Sequence, residues 1–80
     1  MKVNILLFGI TKDLVGSQKL LFELKDKTTV ADFKKQLQEK YPELEGLSSL
    51  AIAINSEYAT DSNIIMANDE IALIPPVSGG

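Results

Sequence analysis

The sequence predicts an α+β fold, a mixed sheet with one main helix packed on one of its faces. Three observations carry that expectation. The segments near residues 3–8 and 71–74 are apolar on both alternating sides, as strands covered on both faces are. One stretch between them has helical periodicity with a start and a stop signal. The other apolar runs are short and bounded by turn residues.

Residues 2–9 read as a strand, with Val3, Ile5 and Leu7 on one side and Leu6 and Phe8 on the other. Residues 9–17 read as a connector containing Gly16. Residues 19–25 read as a second strand with Leu20, Phe22 and Leu24 on one face and Leu21, Glu23 and Lys25 on the other, the alternation of an edge strand. Asp26-Lys27-Thr28 is a turn. Thr29 is a good N-cap, and Asp32 falls in the first helical turn, where its charge suits the dipole. The helix runs from Val30 to about Lys40, with Val30, Phe33, Leu37 and Tyr41 on one stripe and Lys34, Lys35, Gln38 and Glu39 off it. Pro42 ends it by disfavouring helical geometry at the preceding residue. A loop around Gly46 follows, over residues 43–49, and then a third strand over residues 50–55.

Asn55-Ser56-Glu57 suggests a tight turn into a short strand around Tyr58. Ala67-Asn68-Asp69 is another turn, where Asn tolerates a positive φ. Residues 70–74 form the last strand, with Ile71 and Leu73 on one side and Ala72 and Ile74 on the other. Pro75-Pro76 cannot donate to a ladder, so the sheet stops there. The order is β-β-α-β-(β)-β, with the first and last strands as central neighbours. That is a β-grasp, the ubiquitin-like architecture. It forms one domain over residues 1–74, followed by a flexible tail, Pro75-Pro76-Val77-Ser78-Gly79-Gly80.

Composition narrows the function. The chain has no cysteine and no histidine, so it has no thiol nucleophile, no thiolate metal site and no imidazole base. Its eight cations are all lysines, spread along a chain of net charge −3, which argues against nucleic acid as a partner. Lys34 and Lys35 read as a solvated helix face. Asp13, Asp61, Asp69 and Glu70 are scattered and match no calcium-loop spacing, so no metal site is expected. Asn4 interrupts the apolar run that a signal peptide would need, and no stretch reaches the length of a membrane span. The expectation is a cytoplasmic protein without a membrane partner.

The sharpest feature is the tail. Glycine is about 7% of average usage, so a Gly-Gly end arises by chance in roughly 0.5% of chains. Two prolines closing the fold just before it make accident less plausible still. Here the chain resembles the small, sulfur-carrying subunit of molybdopterin synthase, a ubiquitin-like family. Leu7-Phe8-Gly9-Ile10-Thr11-Lys12-Asp13-Leu14-Val15-Gly16 resembles that family's first strand and loop. Thr29-Val30-Ala31-Asp32-Phe33 resembles its helix start, and Ile54-Asn55 its strand end. Asn68-Asp69-Glu70-Ile71-Ala72-Leu73-Ile74-Pro75-Pro76-Val77-Ser78-Gly79-Gly80 resembles its closing segment almost residue for residue. Asn68 stands where Gly is usual, and Lys12 where Arg is common.

The resemblance implies a mechanism in which the chain is not catalytic alone and binds no stable cofactor. An ATP-dependent, E1-like activating enzyme adenylates the Gly80 carboxylate. Sulfur from a persulfide donor replaces AMP and leaves a C-terminal thiocarboxylate. The carrier then docks on a large synthase subunit and delivers sulfur to a cyclic pterin precursor. The physical chemistry of the end agrees. A free α-carboxylate, with a pKa near ~3.5, is a poor electrophile and must be activated elsewhere. Gly79 and Gly80 lack side chains and can thread a narrow channel. Pro75 and Pro76 favour an extended exit, with Val77 and Ser78 completing the approach, and six residues reach at most about 20 Å.

One helix cannot cover both faces of a sheet whose central strands are apolar on both. Phe8, Tyr58 and Ile74 are therefore expected to form an exposed apolar patch that partners use for docking. Other readings of the same chain are a carrier for thiamine synthesis or tRNA thiolation, a ubiquitin-like modifier joined to lysines, and a pure interaction domain whose tail does nothing.

Overall fold

The computed structural model describes residues 1–44 and 50–75. Five strands and two helices follow one another as β1 (Lys2–Leu7), α1 (Ile10–Val15), β2 (Lys19–Glu23), α2 (Val30–Lys40), a 3₁₀ turn (Pro42–Leu44), β3 (Ala51–Ile54), β4 (Glu57–Tyr58) and β5 (Glu70–Ile74). The sheet order is β2-β1-β5-β3-β4. β1 and β5 pair in parallel at its centre, and every other pairing is antiparallel. The mixed sheet with one main helix is the β-grasp that the sequence predicts.

The alternation along each strand explains the layers. Val3, Ile5 and Leu7 of β1 and Ile71 and Leu73 of β5 point towards α2 and are buried. They meet Val30, Phe33 and Leu37 of the helix, all fully buried, with Phe22, Leu24, Ile52 and Ile65 closing the core. The Phe22 and Phe33 rings meet edge to face at 5.7 Å, a favoured aromatic geometry. Tyr41, the last residue of the expected stripe, is partly buried beside this core and leaves helical geometry at φ −126°, ψ 79°, before Pro42.

The start of α2 is fully accounted for. Thr29 Oγ1 accepts from the Asp32 amide at 3.2 Å, as an N-cap should. The Val30 and Ala31 amides donate to the carbonyls of Asn63 and Asp61 at 2.9 and 3.1 Å. The otherwise orphaned N–H groups of the first turn thus hold down the β4–β5 connection, and an isolated bridge between Thr29 and Ile64 adds to it. Lys34, expected only to be solvated, reaches Asp61 of the same connection at 3.0 Å.

The turns fall where expected. Asn55 and Ser56 both take positive φ, 52° and 72°, the geometry of a two-residue hairpin turn matched to strand twist. Asn68 takes φ 73°. The connector expected over residues 9–17 is corrected: most of it is helix α1. Gly16 closes this helix in the left-handed conformation and donates its N–H to the Lys12 carbonyl at 2.8 Å. β1 and β2 each stop two residues before the expected ends. Beyond Leu7 the Phe8 amide turns to the Thr11 hydroxyl, and beyond Glu23 only Leu24 still pairs, with Met1.

The cap makes a direct test of this account. Thr29→Ala is expected to lower stability by about 1 kcal/mol in urea denaturation with an unchanged m value. An unchanged midpoint would mean that the tertiary bonds to Asp61 and Asn63 hold the helix start without the side chain.

Candidate functional site

The face of the sheet turned away from α2 is the candidate site. Its side chains come from the second parity of each strand, and register lines them up. Leu6 of β1 lies opposite Ala72 of β5, Ala72 opposite Ala53 of β3, and Ala53 opposite Tyr58 of β4. Two alanines thus floor a shallow depression whose walls are larger side chains. The cavity measures about 280 Å³ and is lined by Leu6, Phe8, Ala53, Ser56, Tyr58, Glu70, Ala72 and Ile74. Phe8 is 48% exposed, Tyr58 75% exposed, and Ile74 half-buried. The three residues expected to form an apolar patch therefore do converge, and Phe8 is not packed under α2.

Phe8 is held from behind. Its N–H donates to Thr11 Oγ1 at 3.1 Å, and the Thr11 hydroxyl and N–H both donate to the Phe8 carbonyl. Thr11 is fully buried, so the ring is displayed from a backbone that is locked on the inside. Gly9 follows with φ 56° and ψ −134°, a conformation that is effectively glycine's alone. A Cβ on Gly9 would sit 3.0 Å from Pro75 Cγ, so the pyrrolidine ring rests on the bare backbone. Pro75, where the chain leaves the sheet, is therefore fixed beside the same patch. Thr11 and Gly9 had no assigned role in the reading from sequence. A Thr between two glycines was the available signal, but its burial depends on a helix that local pattern did not reveal.

Of the acidic residues, Asp61 and Asp69 serve the fold. Asp69 accepts from the Met66 amide at 2.7 Å and from the Asn55 side chain at 2.9 Å, which shapes the turn before β5. Among the described residues no three His, Cys, Asp or Glu side chains converge, and no helix is long and apolar enough to cross a membrane. Pro76, Val77, Ser78, Gly79 and Gly80 lie outside the described residues.

The ThiS family pattern matches residues 5–80, a span that includes β1 from Ile5 onward, all the residues that line the open-face cavity and the closing Gly-Gly. The chain belongs to the ThiS family. Within it, this member is 38% identical over 80 residues to the molybdopterin synthase sulfur carrier subunit of Arabidopsis thaliana, covering 99% of this chain and 83% of that protein. Among solved structures, the small archaeal modifier protein SAMP1 from Haloferax volcanii superposes with a TM-score of 0.86 at 28% identity, covering all of both chains. A complex of subunits 1 and 2 of molybdopterin-converting factor from Helicobacter pylori contains a chain that superposes at 0.71, also at 28% identity and full coverage of both. This ThiS-family chain is thus a homologue of molybdopterin synthase sulfur carrier subunits.

The lock on Phe8 is testable. Thr11→Val keeps the volume but leaves the Phe8 N–H without its buried partner, which should cost about 1–3 kcal/mol. Thr11→Ser, which keeps the hydroxyl, should recover most of that loss. Urea denaturation reads the stability, and amide hydrogen exchange at Phe8 should accelerate in the Val variant only. Equal protection in both variants would show that the hydroxyl does not hold this backbone.

Proposed function

We propose that this protein is the sulfur carrier subunit of a molybdopterin synthase and that its working group is the Gly80 carboxylate. An activating enzyme adenylates that carboxylate with ATP and releases pyrophosphate. The terminal sulfur of a persulfide donor displaces AMP to form an acyl disulfide. A thiol then cleaves its S–S bond, leaving the thiocarboxylate on Gly80 and a disulfide on the donor side. Docked on the large synthase subunit, the carrier passes the sulfur to a cyclic pterin precursor. The chain's own part is to dock and to present, and the active sites belong to its partners.

The observation that carries this reading is the place of Pro75. It lies against Gly9, next to Phe8 and Ile74, so the docking face and the root of the terminal segment share one end of the sheet. A partner that covers the apolar face is then within reach of the five residues that follow, which extend at most about 17 Å. Support also comes from the relatives. The match to a sulfur carrier subunit covers 99% of this chain, and a structural neighbour at 28% identity comes from a complex of two converting-factor subunits.

A second reading is a protein modifier whose Gly80 carboxylate joins a lysine amine. The 28% identity and 0.86 TM-score to an archaeal modifier protein favour it. The two readings share the activation step and part only at the acceptor.

Two results are expected. A carrier bearing one extra residue after Gly80, purified uncleaved, should fail to convert precursor to molybdopterin in a reconstituted assay. Its stability should stay within about 0.5 kcal/mol, because β5 ends at Ile74, well before the addition. Full activity from the extended chain would remove the basis for a terminal sulfur carrier. Separately, Phe8→Lys should weaken binding to the large subunit by about 2 kcal/mol or more, as loss of a central aromatic anchor does, with the melting temperature retained. Undiminished affinity would place the docking surface elsewhere.

A further inference from the structure

Helix α1 is built the opposite way round from a helix that merely closes a loop. Its inner side carries Thr11, fully buried, and Val15, packed against the core. Its outer side carries Ile10 and Leu14, four residues apart on one face and exposed by 48% and 37%. A surface helix normally buries its aliphatic residues and shows its polar ones. Burial of Thr11 is explained by its bonds to the Phe8 backbone. Exposure of Ile10 and Leu14 is explained by nothing within the described residues of this chain.

Their position supplies the reason. Phe8 is the anchor of the open face, Gly9 supports Pro75, and Ile10 is the next residue along. A protein that covers Phe8 and also receives the residues beyond Pro75 must lie alongside α1. Leu21 is 61% exposed on edge strand β2, but it pairs with Asn4, away from this end of β1, and has no such relation to Pro75.

We infer that Ile10 and Leu14 extend the docking face around the root of the terminal segment and that an apolar surface of the large synthase subunit covers them. The inference rests on the sulfur-carrier reading, which supplies that partner. Docking would then use two surfaces of different origin, the sheet face and the outer side of α1, with Phe8 as their common edge. A rim of aliphatic contact at that edge would exclude water from the point where the chain enters the partner.

The test compares the affinities of Ile10→Lys, Leu14→Lys and the double variant Ile10→Ala with Leu14→Ala for the purified large subunit. Leu21→Lys is the control, and melting temperatures are taken in parallel. Each lysine should weaken binding by at least roughly tenfold, because a charge would be placed in a dry contact. The double alanine variant should bind several-fold more weakly than the native chain at an unchanged melting temperature. Leu21→Lys should stay within about twofold. If the lysine variants lose their fold, the double alanine variant decides. Native affinity in the folded α1 variants would overturn the inference and leave the sulfur-carrier reading standing. Loss confined to binding of the activating enzyme would show that the occupant is wrong. Absence of any complex with the native chain would overturn the sulfur-carrier reading itself, and this inference with it.

Discussion

Parallel pairing of β1 with β5 is the constraint on which the rest of the molecule depends. The register sets Leu7 opposite Leu73. Because the strands run the same way, the residues that follow them emerge at the same end of the sheet, and Phe8 and Gly9 come beside Ile74 and Pro75. The 3.0 Å approach to Pro75 that a Cβ on Gly9 would make is the visible result. An antiparallel arrangement of these two strands would send the last residues away from Phe8. The pairing requires a long crossover, and the chain supplies β2, α2, β3 and β4 on the way. Both strands are buried against α2 through one parity only, which leaves their other parity for the open face.

That open face follows from arithmetic of layers. A single helix of eleven residues covers one side of a five-stranded sheet and, among the described residues, has no counterpart on the other. The uncovered side could have been polar, as in many antiparallel sheets. Here its cavity carries Leu6, Phe8, Tyr58 and Ile74 around a floor of Ala53 and Ala72, with Ser56 and Glu70 as the polar members of the lining. Small residues under a ring of larger ones make a concave surface suited to an inserted side chain. The apolar area left in water is stabilisation withheld from the fold, and association with a partner can recover it.

Much of this was legible in the sequence, for reasons that differ by element. The two-sided apolar runs of β1 and β5 could belong only to central strands, and α2 announced itself through Thr29, its stripe and Pro42. The patch of Phe8, Tyr58 and Ile74 followed from parity once one helix had to serve the whole sheet. Helix α1 was hidden because six residues between two glycines are too short to show a period, and such a helix forms only through tertiary contacts. The grip of residues 61–65 on the start of α2 was hidden too, since backbone amides at a helix N-terminus look alike in any sequence. The roles of Gly9 and Thr11 depend on both α1 and Pro75, elements far apart in sequence, and neither role has a local signature.

The central claim is that the terminal carboxylate is the seat of the chemistry, and the intact mass of the protein tests it most directly. The native chain is incubated with its activating enzyme, ATP, a persulfide donor and a thiol reductant, then weighed by mass spectrometry. The account predicts replacement of one oxygen by one sulfur, located to Gly80 on fragmentation and dependent on ATP. A chain that stays unmodified under these conditions, or that takes up sulfur anywhere other than Gly80, would contradict it.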